Sequence, residues 1–141
     1  MHDSQLRCFS APGRVELGGN HTDHNNGLVL AAAIDLNTRC CAKKRQDKLI
    51  RIMSKEFGTI QVALDDLSCI PGERETAKSL VKGILYRFAD FGYHIGGFDA
   101  WSQSDIMSGS GLSSSGSFEI LICSILNGLY NNSRLSPLSL A

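Results

Sequence analysis

The sequence holds no apolar run of the roughly eighteen residues that a membrane-spanning helix needs. Its opening, MHDSQLRCFS, lacks the apolar core of a secretory signal. Charge of neither sign is in excess, because 14 basic residues balance 14 acidic ones. That balance argues against a nucleic-acid binder, which would carry a basic surplus. No CxxC pair occurs among the five cysteines, Cys8, Cys40, Cys41, Cys69 and Cys123. An odd count without such pairs argues against both a disulfide framework and a cysteine-rich zinc site. The expectation is reduced, mostly buried thiols in a cytoplasmic protein. No internal repeat or low-complexity linker divides the chain, and its 141 residues are enough to bury a single core.

What is present reads as a mixed α/β chain. RCFSAPGRVELGG predicts a short strand, a turn at APG and a second strand over Arg14–Gly18. GLVLAAAIDL is nearly all apolar, the pattern of a buried strand, although a short buried helix has the same pattern. RCCAKKRQDKLIRIMSKEFGTIQVALDDL predicts two or three strands broken by charged turns, with KKR at a solvated hairpin tip. From Arg74 the period changes. Ala77, Leu80, Val81, Ile84, Leu85, Phe88 and Ala89 share one face of an amphipathic helix that Gly92 is placed to end. HIGGFDAWSQSDI returns to strand character. A Gly/Ser loop then feeds an apolar helix ending near Tyr130. Ser136 and Pro137 open a last helix as cap and first residue.

The loop SGSGLSSSG, Ser108 to Gly116, sits between a strand and a helix. Glycines let backbone approach a ligand closely. A helix start offers unpaired N–H groups and a positive dipole end, so together they make an anion site, and phosphate is the usual anion. Three consecutive serines add hydroxyls for phosphate oxygens or one Mg2+ position. The loop is not a Walker A sequence, since no GK[ST] follows. Taken alone, it also reads as a plain loop.

The stretch APGRVELGGNHTDHNNG, Ala11–Gly27, puts one arginine, two histidines, one aspartate, three asparagines and four glycines into seventeen residues. Arg14 can neutralise phosphate or a developing oxyanion. Asn20, His21 and Asp23 combine neutral donors, neutral acceptors and a charged acceptor. Carbohydrate hydroxyls need that mixture, because each both gives and accepts a hydrogen bond. Two other readings stand beside this one. His21, Asp23 and His24 could ligate a metal, though their spacing is not a helical zinc pattern. An Asx-rich turn could simply cap its own backbone.

The two segments together carry a resemblance. PGRVELGGNHTDHNNGLVL resembles the galactokinase signature. GSGLSSSGSFE is similar to the phosphate-loop motif shared by galactokinase, homoserine kinase, mevalonate kinase and phosphomevalonate kinase, the GHMP kinases. Their order and separation agree, and GGFDAWSQSDI leading into the loop looks similar too. The resemblance implies a mixed α/β domain related to a ribosomal-protein domain. It implies MgATP as phosphoryl donor and the anomeric hydroxyl of galactose as acceptor, giving galactose 1-phosphate. Arg14 would lie near the anomeric oxygen as the catalytic residue, and Asn20, His21 and Asp23 near other sugar hydroxyls. Gly109, Ser110, Gly111, Leu112, Ser113, Ser114 and Ser115 would wrap the ATP phosphates. Ser115 would be the Mg2+ ligand, with Ser114 the second choice. Such chemistry rests on positioning and charge neutralisation.

The chain departs from the family in places. Asn20 stands where the family often has Glu, and His24 where it has Tyr. Ser108 replaces a usual Pro, and Gly116 a usual Ala inside the helix start, at a cost of about 1 kcal/mol. The chain resembles only the first third of a galactokinase. The family's catalytic aspartate and its whole second domain would lie after Ala141, and neither Asp105 nor Glu119 matches that aspartate in context. The expectation is therefore residues 1–141 as a partial N-terminal domain, inactive alone, with the sugar motif at 11–27 and the phosphate loop at 108–116. Surface that the missing domain would cover should then promote self-association. The alternatives are a non-catalytic module or sensor that binds galactose or ATP, and an unrelated structural α/β domain.

Overall fold

A computed structural model of the protein describes residues 5–19, 27–68 and 70–140. The strands are β1 (Arg7–Gly18), β2 (Leu30–Lys44), β3 (Leu49–Ser54), β4 (Gly58–Ala63) and β5 (Phe98–Ser104). The helices are α1 (Ala77–Asp90), α2 (Ser114–Tyr130) and α3 (Pro137–Leu140). The five strands form one sheet in the order β1-β2-β5-β3-β4. Every neighbour is antiparallel except β3 and β5, which run parallel. Among the described residues no helix is long and apolar enough to cross a membrane.

Alternation along the strands decides which face is covered. Cys40 and Ala42, Ile50 and Ile52, Ile60 and Val62 point into the core, and Phe98 and Ala100 join them. Helix α1 contributes Val81, Leu85 and Phe88. Helix α2 contributes Phe118, Leu121, Ile122, Ile125 and Leu126. Each Val, Leu, Ile or Phe among them, fully buried, stabilises the fold by about 1.5–3 kcal/mol. Thr76 caps α1 by accepting from the Ser79 N–H. Gly92, at φ +77, ends it as expected, with the Tyr93 N–H bonded back to the Phe88 carbonyl. The last helix also starts as expected, Ser136 Oγ accepting from the Ser139 N–H.

Four expectations are corrected. No turn forms at APG. Strand β1 runs through it, and the ladder shifts register between Pro12 and Arg14, where Gly13 alone stands against three residues of β2, Ile34 to Leu36. A proline is tolerated there because β1 is an edge strand. KKR is not a hairpin tip either. Strand β5, 54 residues beyond Lys44 at its first residue, lies between β2 and β3, so residues 45–48 cross from one strand to a non-neighbour. Arg45 instead pairs with Asp47 at 2.7 Å and with the buried Asp99 at 2.8 Å.

The run GLVLAAAIDL is a strand, but much of it is not buried. Leu28 is 95% exposed and Leu30 64%. The reason is length, because β5 reaches along β2 only as far as Thr38, leaving the first half of β2 paired with β1 alone. Finally, the cysteines are not all reduced. Cys8 and Cys41 are joined by a disulfide, while Cys40 and Cys123 are free and buried. That bond depends on the register of β1 against β2, which residue counting cannot see. Cys69 lies outside the described residues.

Candidate functional site

The Gly/Ser loop and the strand carrying Arg14 meet directly. The Arg14 N–H donates to the Leu112 carbonyl at 3.1 Å. Beside it, a Cβ on Gly13 would lie 2.9 Å from that same oxygen and 3.0 Å from Ile106 Cδ1. Only glycine lets the loop come so close to β1. The Arg14 side chain is exposed and pairs with Glu16 at 3.2 Å. Asn20, His21 and Asp23, expected to hold the sugar, lie outside the described residues. They belong to the connection between β1 and β2, which follows Gly18, the last residue of β1, four residues after Arg14.

Within the loop, left-handed residues recur at alternate positions: Gly109 at φ +75, Gly111 at φ +76 and Ser113 at φ +58. The Ser110 N–H donates to the Met107 carbonyl at 3.3 Å, closing a turn inside the loop. Ser110 is tied inward, its hydroxyl donating to the Met107 carbonyl at 2.6 Å. Ser113 is the residue before α2 and makes no side-chain cap bond. The N–H groups of the first turn of α2, including those of Ser114 and Ser115, are therefore not capped by a serine hydroxyl from that position.

A buried polar chain positions this helix start. The Ser117 hydroxyl lies 2.8 Å from the Ala11 carbonyl and 2.9 Å from Thr38 Oγ1. Thr38 in turn meets Ser104 Oγ at 2.9 Å. Ser104 Oγ accepts from the Ile106 N–H, and the Ser104 N–H donates to Glu56. Four elements thus converge behind the loop through groups whose loss would leave buried polar atoms unpaired. Sequence reasoning missed them. Ser117 sits at the end of a Gly/Ser stretch, so nothing in the sequence singled it out.

Sequence reasoning also missed a cavity of about 990 Å³ that reaches the same helix start. Leu80 and Ile84 of α1 line it, with Phe57, Phe118 and Cys123 opposite. Phe57 and Phe118 touch with ring centroids 5.1 Å apart. Ser115 and Glu119, one turn apart on α2, line it as well. Glu119 is half-buried and faces this apolar space. Part of the periodic face of α1 is therefore cavity wall and not core. Asp105, expected on a strand, lies just after β5 and pairs with Arg39 at 3.1 Å.

A turn holds the cavity's other side. Lys82 is 6% exposed and its ammonium donates to Glu73 at 2.7 Å and to the Ser68 carbonyl at 3.0 Å. Lys78 reaches the second Glu73 oxygen. Hydrogen bonds from Lys78 and Lys82 hold the Glu73 carboxyl below its ordinary range. This pins the 3-10 turn Pro71–Glu73, after which Arg74, Glu75 and Thr76 line the cavity.

Residues 2–44 match the galactokinase galactose-binding signature, and residues 79–141 match the GHMP kinases N terminal domain. The chain is thus similar to galactokinases in its first segment and to the wider GHMP kinases in its second. It is 39% identical to the galactokinase of Fusobacterium nucleatum over 133 residues, 92% of this chain and 34% of that protein. It superposes on the structure of Lactococcus lactis galactokinase complexed with galactose with a TM-score of 0.84 at 36% identity. That match covers 96% of this chain and 35% of the other. Methanococcus jannaschii mevalonate kinase shares the fold, with a TM-score of 0.76 at 20% identity, over 96% of this chain and 44% of that one. The chain spans about a third of the length of the curated galactokinases it matches.

Proposed function

We propose that this chain supplies the sugar and nucleotide sites of a kinase that transfers the γ-phosphoryl group of ATP to the anomeric hydroxyl of galactose, giving galactose 1-phosphate. The observation that carries it is the contact of Arg14 with Leu112, which sets the galactose-signature strand against the phosphate loop. Support comes from the galactose complex of the L. lactis relative. Residues 1–141 form part of the N-terminal domain in this reading, and the protein works in the cytoplasm.

Asn20, His21 and Asp23 bind sugar hydroxyls. Arg14 neutralises charge at the anomeric oxygen, once turned from Glu16. The segment Gly109, Ser110, Gly111, Leu112, Ser113, Ser114 and Ser115 receives the phosphates on its N–H groups and on the positive end of α2. The cavity beyond Ser115 takes the adenosine, whose ring stacks on apolar and aromatic walls. The described residues hold no cluster of three His, Cys, Asp or Glu fit to cage a metal. One serine hydroxyl suits Mg2+, which is held chiefly by phosphate oxygens and water. Ser115 fills that role, with Ser114 the second choice, and the ion spreads the negative charge of the phosphates.

Asp105 is occupied by Arg39, and Glu119 faces an apolar cavity, so neither is placed as the base. In this reading the chain alone binds both substrates without turnover. The exposed Leu17, Leu28 and Leu30 give it an apolar end through which it self-associates, which sedimentation velocity tests. Titration of the chain with MgATP tests the phosphate loop. Saturable binding, weakened at least tenfold in Ser115→Ala with the melting temperature unchanged, supports the reading. Equal affinity in the variant counts against it. A non-catalytic binding module has the same binding behaviour, and differs only if no longer frame encodes the catalytic aspartate.

A further inference from the structure

The pair Cys40 and Cys41 is split by the pleat of β2. Adjacent residues of a strand face opposite sides of the sheet. Cys40 faces the helices and is 4% exposed. Burial pushes its thiol up to about 12, and that of Cys123 to about 11. Cys41 faces the side of the sheet that neither long helix covers, opposite its register partner Cys8 on β1. Their Cα atoms are 4.0 Å apart, the close approach of a non-hydrogen-bonded antiparallel pair. Cys8 itself is exposed.

The joined pair lines an open groove of about 640 Å³ with Arg39, Met53 and Trp101. Trp101 is the register partner of Cys41 on β5 and the only tryptophan of the chain. The groove lies on the sheet face away from the cavity between α1 and α2. Nothing in the proposed phosphoryl transfer uses it.

We propose that Cys8 and Cys41 are a reversible redox pair, opened and closed by small thiols and their disulfides at this groove. Exchange begins with a thiolate attacking Cys8 Sγ, the more exposed sulfur. The bond to Cys41 breaks, and Cys41 leaves as a thiolate that takes a proton from water. A second thiol then attacks the mixed disulfide, releasing Cys8 as a thiol. The sum is two protein thiols and one small disulfide, formed from two small thiols by a two-electron exchange. Closure runs the same steps backwards, with a low-molecular-weight disulfide such as oxidised glutathione as the oxidant.

The place of the pair says what it fastens. Strand β1 is an edge, and its ladder with β2 is interrupted between Pro12 and Arg14. The segment Arg7–Pro12 is held by its own short ladder, by Phe9 packed on Gly128 and by the Arg7 guanidinium on the Gly128 carbonyl. The disulfide closes that segment. Opening it loosens the start of β1, while the Arg14 contact with Leu112 stands on the other side of the shift.

The test uses the whole chain. After treatment with oxidised glutathione and alkylation in denaturant, Cys8 and Cys41 are expected as one linked peptide, with Cys40 and Cys123 alkylated. The folded, oxidised chain is then given reduced glutathione and alkylated without denaturant. Cys8 and Cys41 should gain one label each, and Cys40 and Cys123 none. Emission from Trp101 should rise as the neighbouring disulfide, a quencher, opens, and should stay flat in Cys8→Ser. Failure of the linked peptide to form would overturn the proposal. So would a linkage that opens only in denaturant, or a Trp101 signal that ignores the treatment.

Discussion

The backbone N–H of Arg14 donates to the carbonyl of Leu112 at 3.1 Å, joining the first strand of the sheet to the centre of the Gly/Ser loop. Residues 98 positions apart in the chain thereby share one site. The buried run from Ala11 through Ser117 and Thr38 to Ser104 repeats the connection one layer down.

Gly13→Ala should break this joint. Its Cβ would lie 2.9 Å from the Leu112 oxygen, which is backbone and cannot swing aside, and 3.1 Å from Ile34 Cδ1. Crowding of this kind costs about 1–3 kcal/mol. Urea unfolding should show that loss, and MgATP titration should show weaker binding beyond what the remaining folded fraction explains.

Gly116→Ala should do the reverse. Gly116 lies in the first turn of α2 with no left-handed φ, and an added Cβ meets only Ser113 Cβ at 3.7 Å. Ala in place of Gly in a helix gains about 0.5–1 kcal/mol. A higher urea midpoint with an unchanged slope is the expected result.

Lys82→Met removes the cation that Glu73 and the Ser68 carbonyl share. Lys78 remains, so the half-buried carboxylate is not left alone, and the expected loss is roughly 1–3 kcal/mol. The turn before Arg74, Glu75 and Thr76 loosens with it. Nucleotide affinity should therefore fall, and Lys82→Arg should recover most of it.

Acid should weaken the same turn. Its two lysine partners lower the folded-state pKa of Glu73 below the ordinary 4.5. A lowered carboxylate pKa contributes stability that is complete above the unfolded value and lost as pH falls through the folded one. Melting temperature should drop as pH falls below about 4.5, and Glu73→Gln should drop less over that window.

Much of the local structure was legible in the chain. The face of α1, its stop at Gly92, the charged turn between β3 and β4 and the Ser136–Pro137 start all follow from short-range rules of period, cap and turn. The long-range arrangement was not. Nothing local announces that Phe98–Ser104 inserts between β2 and β3, and this insertion is what leaves Leu30 bare and Ser104 beside Thr38. The Cys8–Cys41 bond is hidden for the same reason, since it needs a strand register. The Gly/Ser loop before α2 was readable as a loop because its glycines serve local backbone geometry. The cavity beside it was not, because its walls come from α1, α2 and the turn after β3.

The most direct test is calorimetric titration of the chain with galactose and with MgATP, followed by phosphorus NMR of the mixture. Saturable binding of both is expected, with galactose binding lost in Asp23→Ala and no galactose 1-phosphate above a protein-free control. A folded chain that binds neither ligand would contradict the assignment of these two segments to the sugar and the phosphates.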